Sequence, residues 1–308
     1  MTLATAHSRA APDDRRITNV SDVRLRSAPS VSASTIGGLP LGIELDVQEQ
    51  TKTGELWYHV RTDDGQDGWV QGSLTTTPLD PGRRDQTIES IVVSRLQSGG
   101  NFAARVQLFE LVERTMARLS DSEARARFTL YRLRAMSSVF ESIPYGRGAG
   151  DPYAGWIRDH QDAATYDELR GQWMVDPWSA LEVHERYRGT AAADDIAWFF
   201  VVNGLPRECE GDVPCYVSWE NQLDGWYLQS YPRGKHADDS NAQIALRLNG
   251  AMDNLQNFPA VLREFDPQTR CDELHMSLDP LTAAVTASTS THKTETLAAI
   301  DRFAQLCR

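Results

Sequence analysis

The residues with the greatest catalytic potential are four cysteines and seven histidines. A thiol peptidase needs a histidine that helps to form the nucleophilic thiolate of a cysteine. Cys209 and Cys215 are followed by only three histidines, His236, His275 and His292, and no surrounding motif connects a cysteine with any of them. The sequence therefore does not favour a thiol peptidase.

Metal-binding and hydrolase signatures are equally weak. The densest clusters of possible ligands are DHQD at residues 159–162 and EVHE at residues 182–185, and neither has the spacing that places two histidines on one helix face. The 43 acidic residues allow many carboxylate pairs, so composition cannot identify the two facing acids of a glycosidase, for which Glu110 and Glu113 are weak examples. We predict no catalytic residue, no metal site and no cofactor.

The cysteine spacing instead favours disulfide bonds. The segment CEGDVPC at residues 209–215 is short and contains glycine and proline, so closing it into a loop costs little chain entropy. Cys271 and Cys307 can then cross-link the C-terminal helix. Two disulfide bonds would indicate an oxidising compartment, and the alternative is four reduced, buried cysteines.

Composition excludes two classes of partner. The net charge is -12 and the basic residues form no block, which argues against nucleic acid and against an anionic membrane surface. No apolar run approaches the roughly 18 residues that span a bilayer. The first 16 residues lack the apolar core of an intact signal peptide, so we expect either a disordered arm or a chain from which a leader has been removed.

Two types of pattern divide the chain, and its 308 residues are enough for two domains. From about residue 18 to 77, short alternating apolar runs are separated by turn signals such as DDG at 63–65, which predicts a small β-barrel or sandwich. Residues 78–87 have a linker composition. Beyond them the apolar spacing becomes helical, with helical patterns predicted around 88–96, 103–119, 120–140, 162–188, 191–202, 216–231, 238–256 and 293–307.

The barrel region resembles a bacterial SH3 (SH3b) domain. The match consists of VRLRSAPS at 23–30, IGGL at 36–39 with a later glycine, WYHV at 57–60, and GWV at 68–70. One departure is Ala28, where the family normally has glycine. The predicted fold class is therefore multidomain α+β, a small all-β SH3-like barrel at 18–77 followed by a mostly α-helical domain at 88–308, with a disordered arm at 1–17.

This resemblance implies a location and a role. Such domains occur mainly in exported bacterial proteins, where they bind cell-wall peptide or dock other proteins and carry no catalysis. The residues that could form the ligand-binding groove are Trp57, Tyr58 and Trp69, with Arg24 pointing outward beside them. A small barrel also needs aromatic residues to fill its core, so the same residues have a structural alternative.

Two features suggest partner contacts elsewhere. The segment GWYLQSYPRGKHA at 225–237 resembles the turn between helices in tetratricopeptide-like envelope proteins, although only one unit is present. A glycine- and proline-rich break at 144–155 interrupts the helices, and we predict that residues 145–156 contact a partner. Tyr145, Tyr153 and Trp156 in this segment are less committed to a core, and exposed aromatic residues commonly anchor protein interfaces.

We therefore predict a non-catalytic binding protein of the bacterial envelope, periplasmic or secreted, whose barrel docks cell-wall peptide or another envelope protein and whose helical domain is a scaffold. Two alternatives stay open. One is a peptidoglycan-active hydrolase with an unrecognised helical catalytic domain, and the other is an immunity or inhibitor protein for a periplasmic enzyme. A cleft with facing carboxylates, one of them with a raised pKa, would favour the hydrolase.

Overall fold

The computed structural model describes residues 7–9, 14–77, 79–206, 208–257 and 265–308. The chain divides into two compact units, Met1–Pro144 and Tyr145–Arg308. The predicted boundary at 78–87, between a barrel and one helical domain, stays a prediction, because this division of the chain falls later.

The N-terminal unit begins with a seven-stranded antiparallel sheet. Its order is β1-β5-β6-β7-β3-β4, and β2 also pairs with β5. The strands are β1 (His7–Arg9), β2 (Arg15–Ile17), β3 (Val23–Arg26), β4 (Thr35–Leu39), β5 (Glu44–Thr53), β6 (Glu55–Arg61) and β7 (Asp67–Gln71).

Alternation along these strands builds the core of the sheet. On β3, Val23 and Leu25 are 1% and 2% exposed whereas Arg24 between them is exposed, because successive side chains of a strand point to opposite faces. The core cluster also contains Leu39, Leu45, Val47, Tyr58, Val60 and Val70. The N-terminal part of the chain is thus a small β domain followed by helices, as the sequence predicts.

The predicted disordered arm at 1–17 needs correction where the structure describes it, at residues 7–9 and 14–17, and the rest of the arm lies outside the described residues. Residues 15–17 form β2, which pairs with residues 44–46 of β5, and Ile17 is fully buried. The side chain of Arg16 donates to the carbonyl of Thr76 at 2.8 Å. The prediction failed because one apolar residue at 17 gives no visible period, yet it is enough to bury a three-residue strand.

Three helices complete the N-terminal unit: α1 (Arg84–Ser98), α2 (Phe102–Met116) and α3 (Ser122–Glu141). The carboxamide of Asn101 and the carboxylate of Asp121 accept hydrogen bonds from the third backbone N–H of α2 and α3, which is how such residues cap a helix N-terminus. α1 begins at Arg84, inside the segment predicted to be a linker, because Asp80 caps the short turn before it.

The C-terminal unit is mostly helical. Its helices are α4 (Tyr153–Asp159), α5 (Pro177–Tyr187), α6 (Ala193–Asn203), α7 (Val213–Glu220), α8 (Trp226–Ser230), α9 (Ala237–Asn257), α10 (Pro267–Ala287) and α11 (Lys293–Ala304), with a π-helical turn at residues 221–225 between α7 and α8. In the described residues no helix is both long and apolar enough to cross a membrane.

A hairpin replaces part of one predicted helix. Residues 162–188 read as helical, but β8 (Ala164–Asp167) and β9 (Gln172–Val175) pair within them. The carboxylate of Asp167 accepts from the backbone N–H groups of Leu169 and Arg170, both at 3.0 Å. Gly171 follows with φ +62°, a conformation that glycine adopts at little cost. The turn at residues 167–171 therefore determines the local structure in place of the helix that the apolar spacing predicted.

Both predicted disulfide bonds are present, Cys209–Cys215 and Cys271–Cys307. The first joins Cys209, in the loop before α7, to Cys215 within α7. The second joins α10 to the turn after α11. Their sequence separations are 6 and 36 residues.

The segment with the tetratricopeptide-like pattern comprises α8 and the turn that leads into α9. The hydroxyl of Tyr227 donates to Asp194 at 2.6 Å and accepts from the backbone N–H of His236 at 3.0 Å. A Cβ at Gly234 would lie 2.4 Å from this hydroxyl, so the glycine allows the turn to close over it. The resemblance to tetratricopeptide proteins itself stays unconfirmed.

Candidate functional site

The register of the strands places the predicted ligand-binding residues on one face of the sheet, with the exception of Tyr58. Residue Arg26 on β3 pairs with Trp69 on β7, and Trp69 pairs with His59 on β6. Residues directly opposite each other in antiparallel strands share a face, and residues two apart on one strand do as well. Arg24 and Trp57 therefore lie on this same face, which we call the outer face of β3, β7 and β6.

A cavity of about 290 Å³ opens on the outer face. Arg24, Arg26, Trp57 and Gln71 line one part of it, and the loop at residues 20–23 with Leu74 lines the rest. Trp57 is only 3% exposed, so a ligand can reach its ring only through the cavity. Arg24 is exposed, and its guanidinium offers donors suited to a carboxylate.

Beside the cavity, Trp69 packs against His59 with ring centroids 5.1 Å apart. His59 Nε2 lies 3.0 Å from Asp67 Oδ1, so the imidazole is held between a carboxylate and the indole. Trp69 is partly exposed. The face thus offers one fixed, accessible indole next to two arginines, a combination of apolar and hydrogen-bonding groups that suits peptide recognition.

The glycine before Trp69 is required by close packing. A Cβ at Gly68 would lie 2.9 Å from the carbonyl oxygen of Arg26 and 2.9 Å from Leu25 Cγ. β7 therefore approaches β3 so closely at Gly68 that no side chain fits there. The next residue, Trp69, then carries its indole on the outer face.

Tyr58 is the exception. It belongs to the core cluster and is 3% exposed, and the guanidinium of Arg16 lies 4.0 Å from its ring centroid. Burial raises the pKa of its hydroxyl, and the nearby Arg16 opposes that rise. We correct its predicted position on the ligand-binding face, because Tyr58 alternates with Trp57 and so points into the core.

The predicted partner-contact residues have different environments. Tyr145 is 76% exposed, and its ring lies over Gly171, where a Cβ would come within 2.1 Å of it. Trp156 stacks on His160 with centroids 4.2 Å apart. Tyr153 is half-buried at the start of α4. Whether the three residues contact a partner stays a prediction.

The sequence did not reveal a buried acid pair in the C-terminal unit. Glu220 is 4% exposed and Asp224 is fully buried, and Arg247 on α9 makes ion pairs with both, at 2.9 Å to Glu220. Burial raises the pKa of both carboxyl groups, and Arg247 opposes this rise. A raised carboxyl pKa fits a general acid, but neither acid lines the cavity on the outer face.

No signal in the sequence could have identified this pair. Acidic residues four apart are common on helices, and Arg247 comes 23 residues after Asp224. The π-helical turn at 221–225, a feature often found at functional sites, is also invisible in the apolar pattern. In the described part of the chain, no group of three or more histidine, cysteine or acidic side chains is placed to hold a metal ion.

Comparison with known proteins identifies the family of one segment. The family model of the bacterial SH3 domain matches residues 21–76, which contain β3 to β7 and every residue that lines the cavity on the outer face except Val20. No curated protein and no solved structure matches the chain significantly. Residues 21–76 of this chain are therefore a bacterial SH3 domain.

Proposed function

We propose that this protein is a non-catalytic binding protein of the bacterial cell envelope, whose outer face docks cell-wall peptide. The observation that carries the proposal is that Arg24, Trp57 and Trp69 share one face, on which Arg24 and Trp57 line a cavity, within a domain of a family associated with wall and protein binding. Two disulfide bonds support a location outside the cytoplasm, since they persist in oxidising compartments.

The chemistry of the face suits such a ligand. An exposed guanidinium can bind a peptide carboxylate, the partly exposed indole of Trp69 can pack on an alkyl stem, and the cavity above Trp57 admits a small side chain. The helical C-terminal unit then acts as a scaffold or as a surface for a partner, with Tyr145 as its most exposed predicted contact.

The test is a co-sedimentation assay with insoluble peptidoglycan, in which soluble muropeptides are measured in the same tube. We expect the full chain to sediment with the wall and to release nothing. Trp69→Ala and Arg24→Ala should each lower the bound fraction. Trp178→Ala is the matched control, because it removes a tryptophan that is 64% exposed and lies outside the SH3 domain.

Two outcomes would change the assignment. Release of muropeptides would contradict the non-catalytic proposal, and Glu220 and Asp224 would then be the first acids to substitute. Absence of both binding and release would contradict the cell-wall ligand and would direct the search to a protein partner, for which the same outer-face variants would serve as probes.

A further inference from the structure

A second and larger cavity, of about 460 Å³, lies within the N-terminal unit between the sheet and the helices α1 and α2. The loop at residues 38–44 and the turn at residues 62–66 form its walls on the side of the sheet, and α1 and α2 form the opposite wall. Its volume is within the range of small-ligand sites. It contains none of the residues of the outer face.

The helical wall of this cavity is basic. Arg84, Arg114 and Arg118 line it, and one partly buried carboxylate, Glu44, lies among them. Arg84 Nε donates to Glu44 at 2.7 Å, whereas Arg118 Nη1 is 3.7 Å from the same carboxylate oxygen. Glu44 therefore balances about one of the three guanidinium groups.

The remaining two arginines have unused hydrogen-bonding capacity. Within the described residues Arg114 donates one hydrogen bond, at 3.0 Å to the carbonyl of Leu41, and its Nη1 lies 3.9 Å from the exposed carboxylate of Glu110. Burial lowers the pKa of Arg114 and Glu110 opposes this shift, so the guanidinium is partly desolvated and only loosely paired. The side chain of Arg118 makes no hydrogen bond within the described part of the chain and is 63% exposed. Two guanidinium groups that line one cavity can bind a carboxylate with several donors.

The turn at residues 62–66 makes the opposite wall acidic. Asp63 and Asp64 both line the cavity. Hydrogen bonds from Gln66 and Thr62 fix the carboxylate of Asp64 and lower its pKa. Asp63 is exposed, and its side chain makes no ion pair or hydrogen bond in the part of the chain that the structure describes. Arginines and aspartates thus line separate walls of the same cavity.

We propose that this cavity binds a short zwitterionic peptide, with its terminal carboxylate at Arg114 and Arg118 and its ammonium group at Asp63 and Asp64. The separation of charges favours this ligand over a simple anion, which the aspartates would repel, and over a simple cation, which the arginines would repel. The cavity is open beside Gly38, because a Cβ at this glycine would meet no atom within 4 Å, so a peptide has space to enter there. The site does not depend on the proposed role of the outer face.

The test is an amide NMR titration of the full chain with trialanine in three forms: with both termini free, with an amidated C-terminus and with an acetylated N-terminus. We expect free trialanine to shift the amide signal of Gly38 and to bind about three to five times more tightly than either blocked form, the factor typical of a partly exposed ion pair. Arg118→Gln should weaken free trialanine by that factor and leave the C-amide unchanged. Asp63→Asn should weaken free trialanine and leave the N-acetyl form unchanged.

Two variants serve as controls. Arg134→Gln makes the same charge change at an exposed position of α3 outside the cavity and should have no effect. Trp69→Ala should retain trialanine binding even if wall binding is lost, so failure of the outer-face proposal and failure of this one are distinguishable. Equal affinity for the free and amidated peptides, or absence of any shift at Gly38, would overturn the proposal.

A further comparison identifies the source of the ligand. Tighter binding of the D-configured trialanine would indicate a cell-wall peptide, and tighter binding of the L-configured form would indicate the terminus of a protein. Both outcomes support a zwitterionic peptide site, provided that Arg118→Gln weakens the tighter ligand.

Discussion

The two disulfide bonds should contribute unequally to stability, and loop length sets the ratio. A cross-link stabilises a protein in the chain-entropy model by restricting the unfolded chain, and its effect grows with the logarithm of the loop length. The separation of 36 residues between Cys271 and Cys307 corresponds to about 3.8 kcal/mol in this model, whereas the separation of 6 between Cys209 and Cys215 corresponds to about 2.2 kcal/mol.

The perturbation is the replacement of each pair by alanine, because Cys209 and Cys215 are 6% and 8% exposed and a serine hydroxyl there would be buried without a defined partner. The assay is equilibrium unfolding in urea, followed by tryptophan fluorescence. Six of the eight tryptophans belong to the C-terminal unit, which also contains both disulfide bonds. The fluorescence change therefore reports mainly on the unit that is perturbed.

We expect the Cys271→Ala/Cys307→Ala variant to lose more of the free energy of unfolding than the Cys209→Ala/Cys215→Ala variant, by about 1.6 kcal/mol. The m-value should rise in both variants, since an unlinked unfolded chain exposes more surface. Wild-type protein in reductant is the control and should lose at least as much as the more strongly affected variant. Equal losses, or a larger loss for the short loop, would refute the chain-entropy reasoning and would assign the effect to packing around the sulfur atoms.

Three further substitutions test other parts of the structure. Arg247→Met leaves Glu220 and Asp224 buried without a cation and should cost about 3–5 kcal/mol of unfolding free energy. Burial raises the pKa of both acids, so the folded state holds protons that the unfolded state releases above about pH 4.3. In urea unfolding, this variant should therefore regain stability as the pH is lowered from 8 towards that value. A loss of stability that is independent of pH would contradict this reasoning. Gly68→Ala should destabilise the SH3 domain by about 1–3 kcal/mol through overpacking, measured by the loss of amide NMR dispersion in urea. Gly54→Ala adds a Cβ that meets no atom but stands at φ +85°, so it measures the cost of backbone strain without overpacking. Tyr227→Phe should cost about 1–3 kcal/mol, because it removes the hydroxyl that pairs with the half-buried carboxylate of Asp194 and the backbone N–H of His236. An unchanged midpoint in thermal unfolding would contradict the role of this hydroxyl.

Local patterns predicted the N-terminal β domain well. The alternation of Val23 and Leu25 with arginines, and the close pairing of glycine and tryptophan at 68–69, each report a physical constraint that acts within a few residues. The disulfide pairing was predictable for the same reason. Cys209 and Cys215 are close in sequence and can pair across a short loop, which leaves Cys271 and Cys307 as the only other pair.

Features that depend on distant packing were not predictable. The ion pairs of Arg247 with Glu220 and Asp224 form only after α9 packs against the π-helical turn, and no local period encodes that contact. The hairpin of β8 and β9 was missed for a different reason. Its turn is specified by Asp167 and Gly171, but the apolar spacing around the turn predicted a helix.

The adjacent residues Trp57 and Tyr58 show how strand parity could have improved the predicted site. Tyr58 shares its face with Val60, an apolar residue that any barrel buries, whereas Trp57 shares its face with His59. Only one of two adjacent aromatic residues can face a ligand, and the neighbours two positions away identify it. Trp57 is itself nearly covered, so its ring can form only the floor of the cavity. The exposed side chains that a ligand could contact on this face are then Arg24 and Trp69. We therefore propose a wall peptide, which can insert a narrow group and lie across an indole, as the ligand to test first on this face.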